Sequence, residues 1–88
     1  MELVLTARGT DAAEARARCE ALAGAMRARL GIDVYGADDE SLAVVVSRLL
    51  VARGATVALA ESCTGGLLGA ALTDVPGSSA WFRGGLLC

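Results

Sequence analysis

Residues Thr56 to Ala60 form an almost wholly apolar run, TVALA, which ends in a polar turn with two adjacent glycines. Strands that are apolar along their whole length are typical of parallel sheets, because helices cover both faces of such sheets. A helical pattern precedes this run and another follows it. The sequence therefore predicts an α/β fold with a mostly parallel sheet, in which this strand is central.

The amino-terminal part of the chain shows one long helical pattern between two short strand-like runs. Asp11 is a candidate N-cap, with Glu14 at the third helical position, and Gly31 is a candidate helix stop. One apolar stripe recurs every three or four residues, at Ala15, Cys19, Leu22, Met26 and Leu30. The flanking runs, Glu2 to Ala7 and Ile32 to Tyr35, are predicted strands, which gives a small βαβ segment.

The rest of the chain alternates in the same way after a turn at Gly36 to Glu40. We predict a helix from Ser41 to Ala52, a short helix from Leu67 to Thr73, a helical turn at Ser78 to Phe82 and a strand from Gly84 to Cys88. The predicted buried face of the first helix consists of Leu42, Val45, Val46, Leu49 and Leu50. We place one segment at residues 1–36 and a second at 37–88.

Charge and composition exclude several classes of function. All eight basic residues are arginines, the net charge is −2, and the bases form no patch, so we expect no nucleic-acid partner. The longest apolar stretch is far shorter than the roughly 20 residues of a membrane helix. With no leader-like start, the chain is predicted to be cytoplasmic and without a membrane partner.

The cysteines and the acidic turn predict no metal site. Cys19, Cys63 and Cys88 lie far apart and form no CxxC motif, which is typical of free thiols in a reducing compartment. The adjacent acids Asp38, Asp39 and Glu40 are expected to form a solvated turn at a helix start. We expect no metal ion and no cofactor.

The first candidate site is the turn from Ala60 to Gly66, ESCTGG after an apolar strand. A strand, then hydroxyl groups and paired glycines, then a helix start predict unpaired backbone N–H groups that point toward one place. Such a turn suits a phosphate, a carboxylate or a developing oxyanion. The alternative interpretation is an ordinary capped turn, with Ser62 or Thr64 as the N-cap.

The second candidate site is Pro76 to Ala80, where hydroxyl groups again precede a short helical turn. Ser79 could act as a nucleophile, and the amides of Ser79 and Ala80 could stabilise an oxyanion. The alternative is again a helix cap.

Neither site has an obvious proton acceptor, because the chain contains no histidine and no lysine. Glu61 could serve as a base, bind ligand hydroxyl groups or cap the turn. A nucleophilic role for Cys63 is disfavoured, since no histidine is present to pair with it. We therefore expect the chain to hold an incomplete serine site.

The segment from residue 60 to 87, AESCTGGLLGAALTDVPGSSAWFRGGLL, closely resembles the C-terminal domain of the CinA family. The preceding residues from Gly36 resemble the entry helix and first strand of that domain, and residues 1–36 weakly resemble the end of its KH-like middle domain. The resemblance implies a nicotinamide-nucleotide amidase, also called an NMN deamidase. Such an enzyme hydrolyses nicotinamide mononucleotide to nicotinic acid mononucleotide and ammonia, a step of pyridine-nucleotide salvage in NAD metabolism.

The resemblance also implies roles for individual residues. Ser79 is the first choice of nucleophile, working with a family lysine, and Ser62 is the second choice. The residues predicted to line the substrate pocket or to hold the oxyanion are Glu61, Thr64, Gly65, Gly66, Ser78 and Ala80. Both serine turns are expected to converge on one pocket.

In the family, a tyrosine and a lysine follow the last predicted strand and would lie beyond Cys88. We therefore expect a truncated, inactive fragment whose open apolar sheet edge favours a homo-oligomer. The alternative function is a non-catalytic ligand-binding or oligomerisation module.

Overall fold

A computed structural model describes all 88 residues of the chain. They form two compact units, Met1–Val34 and Tyr35–Cys88, which are described separately below. No helix in the structure is both long enough and apolar enough to cross a membrane.

The first unit consists of one long helix, α1 (Ala12–Leu30), with irregular segments on both sides. Asp11 caps α1 as predicted, since its carboxylate accepts the amide of Glu14 at 2.8 Å. The Glu14 carboxylate accepts the amide of the preceding Thr10 at 3.0 Å, and so shifts the reciprocal bond of a capping box by one residue. Gly31, with φ of 58°, ends the helix.

The two strands predicted beside α1 are wrong. Residues 1–9 form no strand, and Gly31–Asp33 is a 3-10 turn closed by a bond from the Val34 amide to the Gly31 carbonyl, 3.2 Å long. A strand persists only where a neighbouring strand completes its hydrogen bonds, and the first unit contains none. The βαβ arrangement is therefore not formed, and the KH-like assignment of residues 1–36 stays a prediction.

The stripe on α1 is partly covered by the amino-terminal segment. Cys19 approaches the Leu5 carbonyl at 4.0 Å, and Arg18 donates to the Arg8 carbonyl at 2.7 Å. Leu22 and Leu30 remain exposed, and no residue of α1 is fully buried. The periodicity thus identified the covered face but overestimated its burial.

The second unit begins with α2 (Leu42–Arg53), which lies one residue further along the chain than the predicted helix Ser41 to Ala52. The Ser41 hydroxyl accepts the amide of Val44 at 3.2 Å, and Gly54 ends the helix in the left-handed conformation. Glu40, before the helix, pairs with Arg48 and accepts the Ala37 amide at 3.3 Å. The ion pair with Arg48 and the hydrogen bond from the Ala37 amide therefore fix the acidic turn at the start of α2.

The sheet of the second unit contains two parallel strands, β1 (Val57–Glu61) and β2 (Phe82–Leu87), joined through α3 (Leu67–Thr73). A register shift between Val57 and Ala58 accommodates an extra residue in β2. These elements confirm the predicted α/β class and the parallel pairing.

The core of this unit is small and consists of Val45, Leu72 and Trp81. Trp81 is the most buried of the three, at 2% exposure. Its carbonyl accepts the Val57 amide at 2.8 Å, which joins the core to the start of β1.

Two packing predictions need correction. β1 was predicted to be a central strand, but it pairs with a neighbour on one side only and is an edge strand. Its residues Ala58 and Ala60 are exposed. Leu42 and Leu49 of α2 were predicted to be buried, but they are about half exposed, at 55% and 50%. A sheet of two strands covers a narrower strip of the helix surface than a sheet of many strands.

Candidate functional site

The turn after β1 is held together by the carboxylate of Glu61. One carboxylate oxygen accepts the amide of Leu68 at 2.8 Å, and the other accepts the amide of Gly69 at 2.9 Å. The Thr64 hydroxyl donates to the same carboxylate at 3.2 Å and accepts the amide of Leu67 at 3.3 Å. Glu61 and Thr64 together therefore cap α3 from the end of the preceding strand.

These bonds lower the pKa of Glu61 below its ordinary value. The amide of Gly69 is the largest cause, partial burial opposes it, and the amide of Leu68 and the hydroxyl of Thr64 add to the lowering. A carboxylate that already accepts three donors and resists protonation is a weak proton acceptor. Its geometry is that of a helix cap, one of the three roles considered for this residue.

The hydrogen bonds of this cap leave few free backbone donors for an anion at the turn. The sequence predicted unpaired N–H groups at the start of α3, but the amides of Leu67, Leu68 and Gly69 all have acceptors within the turn. The amide of Gly65 donates to the Ser62 carbonyl at 3.0 Å. Most of the donors expected to receive a phosphate are thus already used.

The paired glycines give the turn its shape. Gly65 and Gly66 have φ angles of 70° and 119°, a region that side-chain-bearing residues rarely adopt. Within α3, a Cβ atom on Gly69 would lie 3.1 Å from the nearer Glu61 carboxylate oxygen. Glycine at this position therefore allows the carboxylate to approach the helix.

An open, mostly apolar depression lies beside the turn. Its lining consists of Glu61, Ser62, Cys63, Thr64, Leu67, Leu68 and Ala71. Ser62, Cys63 and Thr64 are exposed, and Leu67 and Leu68 are 66% and 52% exposed. Leu67, Leu68 and Ala71 were not predicted as site residues, although their spacing on α3 places them on one face of the helix.

The second turn forms the 3-10 helix Ser78–Ala80, preceded by Gly77 with φ of 78°. The amide of Ala80 donates to the Gly77 carbonyl at 3.1 Å, and the amide of Ser78 donates to the Val75 carbonyl at 3.1 Å. The Ala80 amide is therefore engaged within the turn, although an oxyanion role was predicted for it. Ser79 itself is exposed.

The structure does not bring the two turns together. Ser62 follows the carboxyl end of β1, whereas Ser79 precedes the amino end of β2, and the strands are parallel with Val57 opposite Phe82 and Glu61 opposite Leu87. Four residues of strand span about 13 Å, so the two serines lie at opposite ends of the sheet. The predicted convergence of both turns on one pocket is wrong for a single copy of the chain.

The position of the first turn agrees with a general rule for parallel sheets, in which ligands bind outside the carboxyl ends of the strands. A comparison with known families decides the relationship: the model of the CinA C-terminal domain matches residues 39–88. The chain belongs to the CinA family. The matched range contains both turns, the depression and both strands.

Full-length CinA-like proteins match nearly the whole chain. A CinA-like protein of Thermosynechococcus vestitus is 51% identical over 85 residues, 97% of this chain and 20% of the relative. A CinA-like protein of Frankia casuarinae is 55% identical over 83 residues, 94% of this chain and 19% of the relative. A relative in Halothermothrix orenii, named as competence-damage inducible, is 44% identical over 87 residues, 99% of this chain and 21% of the relative. The chain thus spans about a fifth of the length of the curated relatives it matches.

Proposed function

We propose that this chain contributes to an amidohydrolase that converts nicotinamide mononucleotide to nicotinic acid mononucleotide and ammonia. Membership of the CinA family supports the proposal, together with the resemblance of residues 60–87 to the amidase domain. The structural observation that carries it is the exposed Ser62 hydroxyl beside an apolar depression at the carboxyl end of a parallel strand.

The reaction needs a nucleophile that attacks the carboxamide carbon. In the serine route, the Oγ–C bond forms and the C–N bond breaks, and the proton of the serine hydroxyl passes to the departing NH2 group, which leaves as ammonia. Water then hydrolyses the acyl ester to the carboxylate and restores the serine hydroxyl. The chain offers two serines for this step. We assign Ser62 to the substrate-binding wall, because it lines the depression, and retain Ser79 as the proposed nucleophile on the strength of the family resemblance.

The separation of the two serines places a condition on this assignment. If Ser79 attacks a substrate that is bound at Ser62, the two residues must come from different copies of the chain. The proposal therefore includes a homo-oligomer whose site combines the first turn of one copy with the second turn of another. Glu61 and Thr64 line the depression and also hold the start of α3, so they shape the proposed site.

A chimera provides the test of activity. Residues 1–88 replace the matching segment of the Thermosynechococcus vestitus relative, which this chain matches at 51% identity, and ammonia release from nicotinamide mononucleotide is measured. We expect release from the chimera and from the unaltered relative. If neither protein releases ammonia, the proposed activity is wrong.

A non-catalytic ligand-binding module is the second candidate. Two observations favour it: the chain has no histidine or lysine, and the Glu61 carboxylate is engaged as a cap. A chimera that binds the mononucleotide without turnover, while the unaltered relative is active, would support this candidate.

A further inference from the structure

The charge around the depression beside α3 limits what can bind there. Of the lining residues, only Glu61 carries a formal charge, and neither arginine nor lysine is among them. The remaining surface comes from Leu67, Leu68, Ala71 and the small polar side chains of the turn. A ligand in this depression therefore meets an apolar wall next to a carboxylate.

An anion is disfavoured at this place for two reasons. The amides that start α3 already donate to Glu61 and Thr64, so a phosphate would find few free donors. The Glu61 carboxylate would also repel it, and its lowered pKa keeps it ionised over the neutral range.

A flat, positively charged ring suits this surface better than an anion does. Its faces can cover the exposed leucine side chains, and its charge is attracted by the carboxylate. Resting on the proposed function, we infer that the depression lined by Glu61, Leu67, Leu68 and Ala71 holds the pyridinium carboxamide end of the mononucleotide. The phosphate end then lies outside this depression.

Binding of separate ligand parts to the 88-residue chain tests the inference. The amide signals of Leu67, Leu68 and Ala71 are followed by NMR during titration with 1-methylnicotinamide, a cationic ring with the carboxamide but no ribose or phosphate. We expect these signals to shift with the cation and to stay unchanged with inorganic phosphate. Uncharged nicotinamide should bind several-fold more weakly than the cation.

Two neighbouring alanines provide a matched pair of variants. Ala70 and Ala71 are both exposed on α3, but only Ala71 lines the depression. Ala71→Lys should weaken binding of the cation by at least about fivefold, because it brings a like charge within several ångströms. Ala70→Lys, which adds the same charge and the same side chain outside the depression, should leave binding nearly unchanged.

Three outcomes would overturn the inference: phosphate shifting the same signals at a lower concentration than the cation, neither ligand shifting them, or both lysine variants acting alike. Both the 88-residue chain and its Ala70→Lys variant must give the dispersed NMR spectrum of a folded protein. If either does not, the same titrations are carried out on the chimera. Cation binding without ammonia release would count against the proposed activity only. Ammonia release without cation binding at α3 would count against this inference only.

Discussion

Ser62 and Ser79 lie at opposite ends of one pair of parallel strands, Ser62 after the carboxyl end of β1 and Ser79 before the amino end of β2. The distance between these ends, about 13 Å along the strand, exceeds any reach of a serine side chain. A serine at one turn is therefore out of reach of a carboxamide that is held against the other turn of the same copy. The experiment that follows asks whether the two serines of one site come from two copies of the chain.

Mixing two inactive variants answers that question. In the chimera, Ser79→Ala should reduce ammonia release by at least about a hundredfold through loss of the nucleophile, and Ser62→Ala by a similar factor through loss of a hydroxyl that positions the substrate. If the site is shared between copies, a mixed dimer of the two variants contains one site with both serines intact. After random exchange of subunits, about a quarter of the original activity should return.

The result of the mixing experiment is unambiguous when the single variants are measured beside it. No recovery after exchange would contradict the proposal that one site combines serines from two copies. If Ser79→Ala retains the full rate and Ser62→Ala does not, Ser62 is the nucleophile. Subunit exchange is checked by mass spectrometry of a tagged and an untagged copy.

The cap formed by Glu61 predicts a dependence of stability on pH. Its folded pKa lies below the ordinary value, so the carboxylate stabilises the fold above the ordinary glutamate pKa of roughly 4.3. This contribution is lost as the pH falls through the folded pKa, because protonation removes the acceptor for the amides of Gly69 and Leu68. Thermal unfolding followed from pH 7 to pH 3 should show the second unit losing stability over this range.

Glu61→Gln removes the charge without shortening the side chain, and it should lower the unfolding temperature at pH 7 and flatten its pH dependence below pH 5. Glu20→Gln, an exposed change on α1, is the matched control and should leave the second unit unaffected. An equal effect of the two variants would contradict the role of the cap. Glu14 and Glu40 also have lowered pKa values, so the comparison between variants is needed to isolate Glu61.

Local signals explain which elements the sequence predicted well. The cap at Asp11 and the stop at Gly31 act within a few residues along the chain, and the structure has the ends of α1 where these signals place them. The parallel pairing of β1 and β2 followed from their apolar runs and the intervening helix. These features depend on neighbours in sequence, which the sequence displays directly.

Features that depend on distant partners were predicted less well. The run from Glu2 to Ala7 has a strand pattern, but a strand also needs a neighbour, which the pattern does not reveal. The separation of Ser62 from Ser79 follows from the polarity of the strands, since one turn follows a strand and the other precedes one. The bonds from Leu68 and Gly69 to Glu61 cross seven and eight residues, and nothing in the local sequence indicates which acceptor takes those amides.

Trp81 is expected to dominate the stability of the second unit. It is the only tryptophan, its exposure is 2%, and the rest of the core is Val45 and Leu72. Trp81→Ala should cost about 3–5 kcal/mol, which is comparable to the whole stability of so small a unit. Circular dichroism and amide dispersion by NMR should show loss of the second unit. Trp81→Phe, which keeps an aromatic ring in the core, should retain the fold, and a folded Trp81→Ala variant would contradict this role.

Two glycines in helices should respond in opposite ways to the same substitution. At Gly24 in α1, a Cβ atom meets nothing within 4 Å, so Gly24→Ala should stabilise the helix by about 0.5–1 kcal/mol. At Gly69 in α3, the Cβ atom would lie 3.1 Å from the Glu61 carboxylate, and displacement of that group would weaken the cap of the helix. Amide hydrogen exchange should therefore slow in α1 of the first variant and accelerate in α3 of the second. In Gly69→Ala, the pKa of Glu61 should also rise toward its ordinary value, as measured by NMR titration of the side-chain carboxyl carbon. Slower exchange in α3 together with an unchanged pKa would show that the close contact between Gly69 and Glu61 does not hold this turn.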